Sequence, residues 1–563
     1  MMKKSFAGFI PPNSKNVLEI IGEDFSYNDK IEIKGYFLHI NPSCNYNIKN
    51  VEEIFEPSKM SEIPSDKVDV IVFSESAFDA VSIKRLTAII KKAADYIKSD
   101  GMMIFTLVNL SYADNITALL RGEPPVVKTT LTFEDLQTAI TNAGMAAIKD
   151  FRTAKETVVK RALVELADTE LNVTHHIACA MKKSAAETLK STVIQSYLGE
   201  VLVCAEVRVN AANRFMAASP GVYVHTKKSG EKLILPNDRP YDRRIFINQR
   251  VSVDSTAMGI NMFNQMVARN YLLIEEMDDN PILWRKKYED TNFINFIGVH
   301  GIQTSTKPLA ELFKKFNPNV RVFENQLSEL PPHRDFKAEI ARREPVVIFF
   351  GALNRDRDFY ELLPAINKIA GDYGDNILFK VIAKTELFNT IATPNKVFIG
   401  KKEVYDGQYV PYDVYEQELR TSHISLLPLR DNIFNRSKSD LKFIECAGNG
   451  SVVLASPTVY SNTVKDGETG FIYHDVNEFY NKLRFLINNN QKRCEVAEKA
   501  YDYVKHNRLL SQHYEERWDW YNELLARLPE LNAETQKRIA LLQEKGYEAF
   551  GGFGDVQEKV EVF

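Results

Sequence analysis

Cysteine is scarce in this chain of 563 residues: Cys44, Cys179, Cys204, Cys446 and Cys494 lie far apart, with no CxxC pair. That spacing excludes a disulfide framework of the kind small secreted domains use and favours a reducing compartment. Long hydrophobic runs are missing too. VVIFFGAL (346–353) is typical of the longest, far short of the roughly 18 apolar residues a membrane-spanning helix needs. The opening MMKKSFAGFIPP has too short an apolar stretch for a secretory signal. The expectation is a cytoplasmic protein with no integral membrane segment. Nor does charge of one sign dominate. Lys plus Arg (71) against Asp plus Glu (75) leave a formal net charge of -4, which excludes a global basic field for nucleic acid. Any phosphate binding must be local.

Hydrophobic residues make up 44% and charged residues 26% of the chain, enough apolar material for several cores. At roughly 150 residues per domain, the length implies three to four domains. Strand-like runs alternate with helical patterns almost throughout, the signature of parallel α/β layers. VLEII (17–21), GYFLHI (35–40), VDVIVFS (68–74) and GMMIFTLV (101–108) read as buried strands of a first unit. A helix over 82–101 is expected to stop at Gly101, and a second over 131–145 to begin at Thr132 with an acidic first turn. VTHHIACAM (173–181) is a final strand, with His175 and His176 on alternating faces, and KKSAAETLKS reads as a linker.

A second unit is expected to begin with a strand in GEVLVCAEVRV (199–209) and to include RRIFINQRV, YLLIEEMDD and INFIGVHGIQTST (294–306). A Pro pair in a charge-rich stretch after residue 324 suggests a hinge. A third unit runs through PVVIFFGAL, ILFKVIA, KVFIG, HISLLPL and SVVLAS (451–456), then helices. The aromatic stripe Tyr514, Trp518 and Tyr521 reads as core packing, and the Gly-Gly-Phe-Gly break near the end as a mobile or partner-binding tail. The resulting division is 1–184, 185–340, 341–505 and 506–563.

The most informative stretch is HISLLPLRDNIFNRSKSDLKFIECAGNGSVVLAS (423–456), which reads strand, polar loop, short helix, glycine stop, strand. Open α/β sheets bind ligands outside the carboxyl ends of their strands, and that place holds Asn435, Arg436, Ser437, Lys438 and Ser439. Ser437 and Asp440 have capping-box spacing. The helix N-terminus and the Lys438 charge suit an anion such as a diphosphate. Lys442 and Glu445 can share a helix face, where a carboxylate would accept hydrogen bonds from ribose hydroxyls. An ordinary capped surface helix with a Lys–Glu pair is the alternative.

FIECAGNGSVVLAS resembles the donor-binding segment of the retaining group-1 glycosyltransferases of the GT-B fold, whose helix reads like LEAMACGxPVVAS. FNRSKSDLKFIE is similar to a subgroup pattern FNxxKSDIKFLE. The resemblance, over roughly 196–505, implies an α/β chain of three Rossmann-like domains, the last two forming a GT-B pair around a cleft. It further implies a nucleoside diphosphate sugar donor, a glycan or protein acceptor, no required cofactor or metal, and chemistry carried by Lys438, Arg355 and Glu445. Donor binding would involve Asn435, Ser437, Ser439, Lys442 and Arg357. The acceptor side would involve Gln249 and Arg250, read as an exposed pair, with Asp278, Asp279 and His300. The family's first glutamate, eight residues before the second, is replaced by Ser437, and the glycine-rich turn after the first acceptor-side strand is missing from EVRVNAANRFMAASPGV.

The first unit resembles a class I methyltransferase by strand order, without its cofactor signatures. VLEIIGEDFSY has one glycine, and Asn41 stands in the acidic place after the second strand. Residues 1–184 are therefore expected to dock a partner or self-associate. Two other readings stay open: a non-catalytic carbohydrate- or partner-binding scaffold, and a bifunctional methyltransferase–glycosyltransferase.

Overall fold

The computed structural model describes residues 14, 16–24, 32–40, 51–55, 68–73, 78, 82–108, 131–154, 173–199, 202–231, 241–341, 344–351, 356–382, 385–400 and 410–553. The fold class is α/β, built on three sheets. The chain forms two compact units, one of residues 1–193, 214–224 and 240–242, the other of 194–213, 225–239 and 243–563.

The first sheet holds β1 (Asn16–Asp24), β2 (Glu32–Ile40), β3 (Val51–Phe55), β4 (Val68–Phe73), β5 (Ile97–Val108), β6 (Met145–Ala154) and β7 (Val173–Lys182), in the order β3-β2-β1-β4-β5-β7-β6. Only β1, β4 and β5 pair in parallel; the β1–β2–β3 and β5–β7–β6 pairings are antiparallel. The first sheet is therefore mixed, with a parallel centre and antiparallel edges. In sequence, β1 and β2 are separated by 7 residues and β2 and β3 by 10, fewer than the dozen or so a parallel crossover needs. Helix α1 (Ile83–Ala94), capped by Ser82, ends at Asp95, well before Gly101. The helix stops where Tyr96 and Ile97 enter the core as β5 begins. Gly101 lies inside that strand, where a Cβ would stand 2.9 Å from the Asp69 carbonyl oxygen. Helix α2 (Phe133–Asn142) has the full capping box of Thr132 and Asp135. Leu86, Ile90, Leu136 and Ile140 pack these helices under Phe73 and Phe105, which stack at 4.5 Å. The expected linker KKSAAETLKS instead contains a helix, Lys183–Thr188.

The second sheet holds β8 (Thr192–Leu198), β9 (Val222–Lys228), β10 (Arg243–Gln249), β11 (Tyr271–Glu276), β12 (Gly301–Thr304) and β13 (Val320–Val322), in the order β13-β12-β11-β10-β8-β9. Its first strand is TVIQSYL, and the segment expected as that strand is helical through Leu202–Ala205, a π turn Glu206–Asn210 and Ala211–Ala217. The apolar run fits either period, and the burial of Arg208 against Glu276 holds it as a helix. A glycine does follow the true strand: a Cβ on Gly199 would stand 3.2 Å from the Gln249 carbonyl oxygen. INFI, expected in a strand, forms a helical turn, Ile294–Ile297, entered through Phe293 at φ 52°.

The third sheet is parallel throughout and is the one read most directly from sequence. It comprises β14 (Val346–Phe350), β15 (Ile377–Ile382), β16 (Lys396–Ile399), β17 (Ile424–Leu427), β18 (Val452–Ala455) and β19 (Phe471–Ile472), in the order β16-β15-β14-β17-β18-β19. Between β16 and β17 lies helix α3 (Tyr412–Arg420), and between β17 and β18 helix α4 (Leu441–Gly448).

Two chain passages join the second and third sheets. Leu327 N–H donates to the Arg508 carbonyl at 2.9 Å, and Leu510 N–H to the Leu327 carbonyl at 2.8 Å. Helix α5 (Asn490–Asn507) leads into this crossing, and α6 (Leu510–Ala526) and α7 (Leu528–Lys545) leave it toward the second sheet. There Tyr521 donates to Gln303 Oε1 at 2.6 Å, and the Trp520 ring limits Gly301, whose Cβ would stand 3.0 Å away. Tyr514, Trp520 and Tyr521 are buried, whereas Trp518 is only partly so. Phe553, in the tail expected to be mobile, is buried against Phe293 at 4.9 Å. Residues 554–563 lie outside the described residues.

Candidate functional site

The loop Asn435–Ser439 enters helix α4 at the carboxyl end of β17. The capping box expected from Ser437 and Asp440 does not form. Asp440 instead takes Arg508 at 2.5 and 2.8 Å and the Thr463 hydroxyl at 2.8 Å, and the helix has no side-chain cap. A bidentate guanidinium outweighs one backbone N–H as a carboxylate partner. Ser437 Oγ donates to the Ile433 carbonyl and accepts from Asn280 Nδ2, both at 3.1 Å. The Ser437 carbonyl accepts from Thr306 Oγ1 at 2.9 Å, and Ser439 Oγ accepts from Asn325 Nδ2 at 2.7 Å. Asn435 is buried and donates to the Arg430 carbonyl at 2.9 Å. Residues following strands of the second sheet thus seat the loop that follows β17.

Within α4, Glu445 is 1% exposed. Its Oε2 accepts from Tyr415 Oη at 3.0 Å and pairs with Lys442 Nζ at 2.8 Å, and Lys442 also stands 4.4 Å over the Tyr415 ring. Burial first, then the Glu445 carboxylate, push the Tyr415 phenol far up, so it stays a donor. Among the described residues, Glu445 Oε1 is buried with no hydrogen-bond partner. Leaving such an acceptor unpaired costs about 1–3 kcal/mol, and a hydroxyl arriving beside it would recover that cost. Tyr412, in the first turn of α3, is 45% exposed, with its ring 6.0 Å from that of Tyr415.

Lys438 places Nζ 3.3 Å from Asp279 Oδ1 and 4.2 Å from the centre of the Phe434 ring. Arg355 lies outside the described residues, and of Arg357 only the backbone, in the turn Asp356–Phe359, is described. Asp358 in that turn accepts the Arg430 N–H at 2.9 Å and lies 3.6 Å from Arg430 Nε. Arg430 is therefore a basic group at the carboxyl end of β17 that the motif reading passed over. Its signal was the LPLRDN turn.

Gln249 and Arg250, expected to be exposed, are not. Gln249 is 1% exposed, and Arg250, at φ 58°, pairs through Nε with Asp278 at 2.6 Å and through NH2 with Asp279 at 2.7 Å. Burial works against ionising Asp279, but Lys438 and Arg250 outweigh it and hold the carboxyl below its ordinary range. Arg208 was also missed. Fully buried, it binds Glu276 at 2.8 and 3.4 Å, the Phe323 carbonyl at 2.6 Å and Asn325 Oδ1 at 2.8 Å. Asn325 then links it to Ser439. The signal was an arginine inside an apolar run, VLVCAEVRV. On the neighbouring residue, burial pushes the Glu275 carboxyl far up, despite Asn248 and Asn295.

The histidines stand apart from this cluster. His300 Nδ1 accepts the Leu273 N–H at 2.9 Å, and burial lowers its ring to about 4. His423 Nδ1 accepts the Val347 N–H at 2.8 Å, and burial lowers it to about 3. Both are neutral groups holding strands. Of His175 and His176 only the strand is described. Among the described residues, no group of three or more His, Cys, Asp or Glu is arranged to hold a metal ion, and no helix is long and apolar enough to cross a membrane.

No curated protein matches the chain in sequence. Among solved structures, the chain is similar to a glycosyltransferase from Rickettsia africae (12% identity, TM-score 0.43, covering 60% of this chain and 99% of that one). Others are sucrose-phosphate synthase from Thermosynechococcus elongatus (11%, 0.42, 60% and 100%) and Anabaena HepE in complex with UDP and glucose (10%, 0.42, 59% and 99%). In sequence, residues 377–523, which include the whole loop Asn435–Ser439 together with Lys442 and Glu445, match the family described as Glycosyl transferase-like.

Proposed function

We propose that this protein is a glycosyltransferase that moves a sugar from a nucleoside diphosphate sugar to a glycan or protein acceptor, with retention and without an obligatory metal. The observation that carries the proposal is Glu445: a buried carboxylate with one oxygen saturated by Lys442 and Tyr415 and the other unpartnered, inside the glycosyltransferase-like segment. Oε1 would accept a ribose hydroxyl of the donor. Lys438, the uncapped start of α4, Arg430 and the Arg355–Arg357 segment would face the diphosphate, stabilising the charge that grows on it as the sugar leaves. Lys438 and Arg430 are held before any ligand arrives, by Asp279 and Asp358, so little reorganisation is needed at the moment of transfer. In this reading residues 185–340 form the acceptor-side domain and 341–505 the donor-side domain of a GT-B pair, with 506–563 tying the second back to the first.

Residues 1–184 would be a methyltransferase-like domain without cofactor, serving docking. In support, β1 continues past its single Gly22 to Asp24, still paired antiparallel with β2, where a cofactor-binding glycine turn would be required.

A thermal-shift panel of UDP, GDP, dTDP, CDP and S-adenosylmethionine tests both parts, since a ligand at about 100 times its dissociation constant adds about 2.7 kcal/mol. One nucleoside diphosphate should stabilise the protein and S-adenosylmethionine should not. Glu445→Ala should abolish the shift without unfolding the protein, and Lys438→Ala should weaken diphosphates more than nucleosides. A panel without any nucleotide shift would favour the non-catalytic scaffold. The anomeric configuration of the product, read by NMR, and turnover in excess EDTA test retention and metal independence.

A further inference from the structure

Asp440 stands where a helix cap belongs and does not act as one. It precedes Leu441, the first residue of α4, and aspartate is among the best capping residues. Elsewhere in this chain such caps form. Asp475 opens the helix Val476–Asn488 at ψ 174° and accepts the Glu478 N–H at 2.8 Å, and Ser82, Thr132, Ser255 and Thr306 cap their helices from ψ between 154° and 168°. Asp440 has ψ 16°, and its side chain takes none of the N–H groups of α4. Both carboxylate oxygens go to Arg508 instead, Oδ2 to Nη1 at 2.5 Å and Oδ1 to Nη2 at 2.8 Å.

Arg508 does not depend on Asp440 for its place. The side chain is 4% exposed; Nη2 also donates to the Asn325 carbonyl at 2.8 Å and Nε to Gln326 Oε1 at 3.2 Å, while the Arg508 carbonyl accepts the Leu327 N–H at 2.9 Å. The crossing between the second and third sheets thus sets the arginine, and the arginine sets the aspartate. What this leaves open is the start of α4. The Phe443 and Ile444 N–H groups turn to the Asp440 carbonyl at 2.8 and 3.3 Å, but those of Leu441 and Lys442 have no acceptor within the helix. Such a start carries partial positive charge and suits an anion. A second observation points to a ligand at the same end. Glu445 Oε1 is buried with no partner among the described residues, and helical side chains lean toward the N-terminus, as the 2.8 Å pairing of Glu445 with Lys442 one turn earlier shows.

We infer that Arg508 is a positioning residue of the donor site: it holds the Asp440 carboxylate off the start of α4 and so keeps those N–H groups open for a diphosphate. The inference rests on the proposed donor site. Without Arg508, Asp440 would turn to the conformation of Asp475, occupy an N–H group and set a full negative charge where the diphosphate should lie. Thr463, whose hydroxyl donates to Oδ2 at 2.8 Å, carries no charge to oppose this. The preceding loop keeps its uncharged seats, Asn280 to Ser437 Oγ at 3.1 Å and Thr306 to the Ser437 carbonyl at 2.9 Å.

The test is isothermal titration of the parent and Arg508→Gln with UDP, GDP, dTDP and CDP, and with the nucleoside matching whichever binds, at one ionic strength. Arg508→Gln should bind the diphosphate about tenfold weaker and the nucleoside unchanged. Adding Asp440→Ala, which leaves no side chain to cap, should restore most of the lost affinity. Adding Asp440→Asn, which removes the charge but can still cap, should restore less. Arg508→Lys carries the same comparisons, with a smaller loss, if Arg508→Gln folds poorly. Unchanged diphosphate binding by an Arg508 variant with the parent's melting temperature overturns the inference. So does a double variant no better than the single, or equal rescue by Asn and Ala, and each leaves the donor-site reading standing. If the parent binds none of the four, that reading falls and the inference with it.

Discussion

Replacing Arg208 by Met should cost the second unit about 3–5 kcal/mol, the range for breaking a buried ion pair from one side. The guanidinium is 1% exposed and Glu276 is fully buried, so Arg208→Met leaves a buried carboxylate without the cation bonded to it, and only Arg517 to offset its charge. Burial already pushes Glu276 above the ordinary carboxylate range, with Arg208 the first of the groups that oppose it. Without Arg208 the carboxyl should rise further. The Phe323 carbonyl and Asn325 Oδ1 lose their donors as well. The assay is urea unfolding followed by tryptophan fluorescence. The chain has three tryptophans, Trp284, Trp518 and Trp520, all in the second unit, so the signal reports that unit and not the first. Trp520 packs 5.6 Å from Phe323 itself. Arg208→Met with Glu276→Leu should recover most of the loss, since two apolar side chains remove the orphaned charge. A single variant costing less than about 1 kcal/mol, or a double variant no better than the single, would refute the claim that the pair acts as a unit.

Two further outcomes follow from particular residues. Gly450 has φ 74°, and a Cβ there would run into the Arg334 side chain, which donates to the Ser422 and Gly450 carbonyls; Gly450→Ala should destabilise the second unit by about 2 kcal/mol, with Arg334→Ala in the same chain relieving part of it. Because Asp279 is held below its unfolded value of about 3.9, its pairing contributes stability that is fully present above that pH and is lost as pH falls through the lowered folded value. Asp279→Asn should flatten the acid limb of a fluorescence-monitored stability profile below pH about 4 and leave the neutral region with a constant offset.

What could be read from sequence divides by the range of the interaction that decides it. The strands of the third sheet are apolar runs bounded by turn residues, and the Thr132 cap bonds to Asp135 three positions on, so local pattern suffices for both. VLVCAEVRV was assigned to the wrong element because its apolar spacing satisfies both strand and helix. The choice is made by Glu276, 68 positions away from Arg208. The Ser437–Asp440 box failed for the same reason: Asp440 has a better partner in Arg508, also 68 positions distant. Gln249 and Arg250 looked exposed because nothing near them in sequence suggests the two aspartates that bury the guanidinium. At the candidate site, the residue types were legible in FNRSKSDLKFIE, but their state was not. The three-residue spacing foretold the Lys442–Glu445 pair, while the saturation of one Glu445 oxygen needs Tyr415 from α3, 30 positions back. That third partner turns an ordinary surface pair into a site. With Lys442 and Tyr415 both on Oε2, the cost of burying Oε1 has no return among the described residues, which is the physical reason to look for its partner in a ligand.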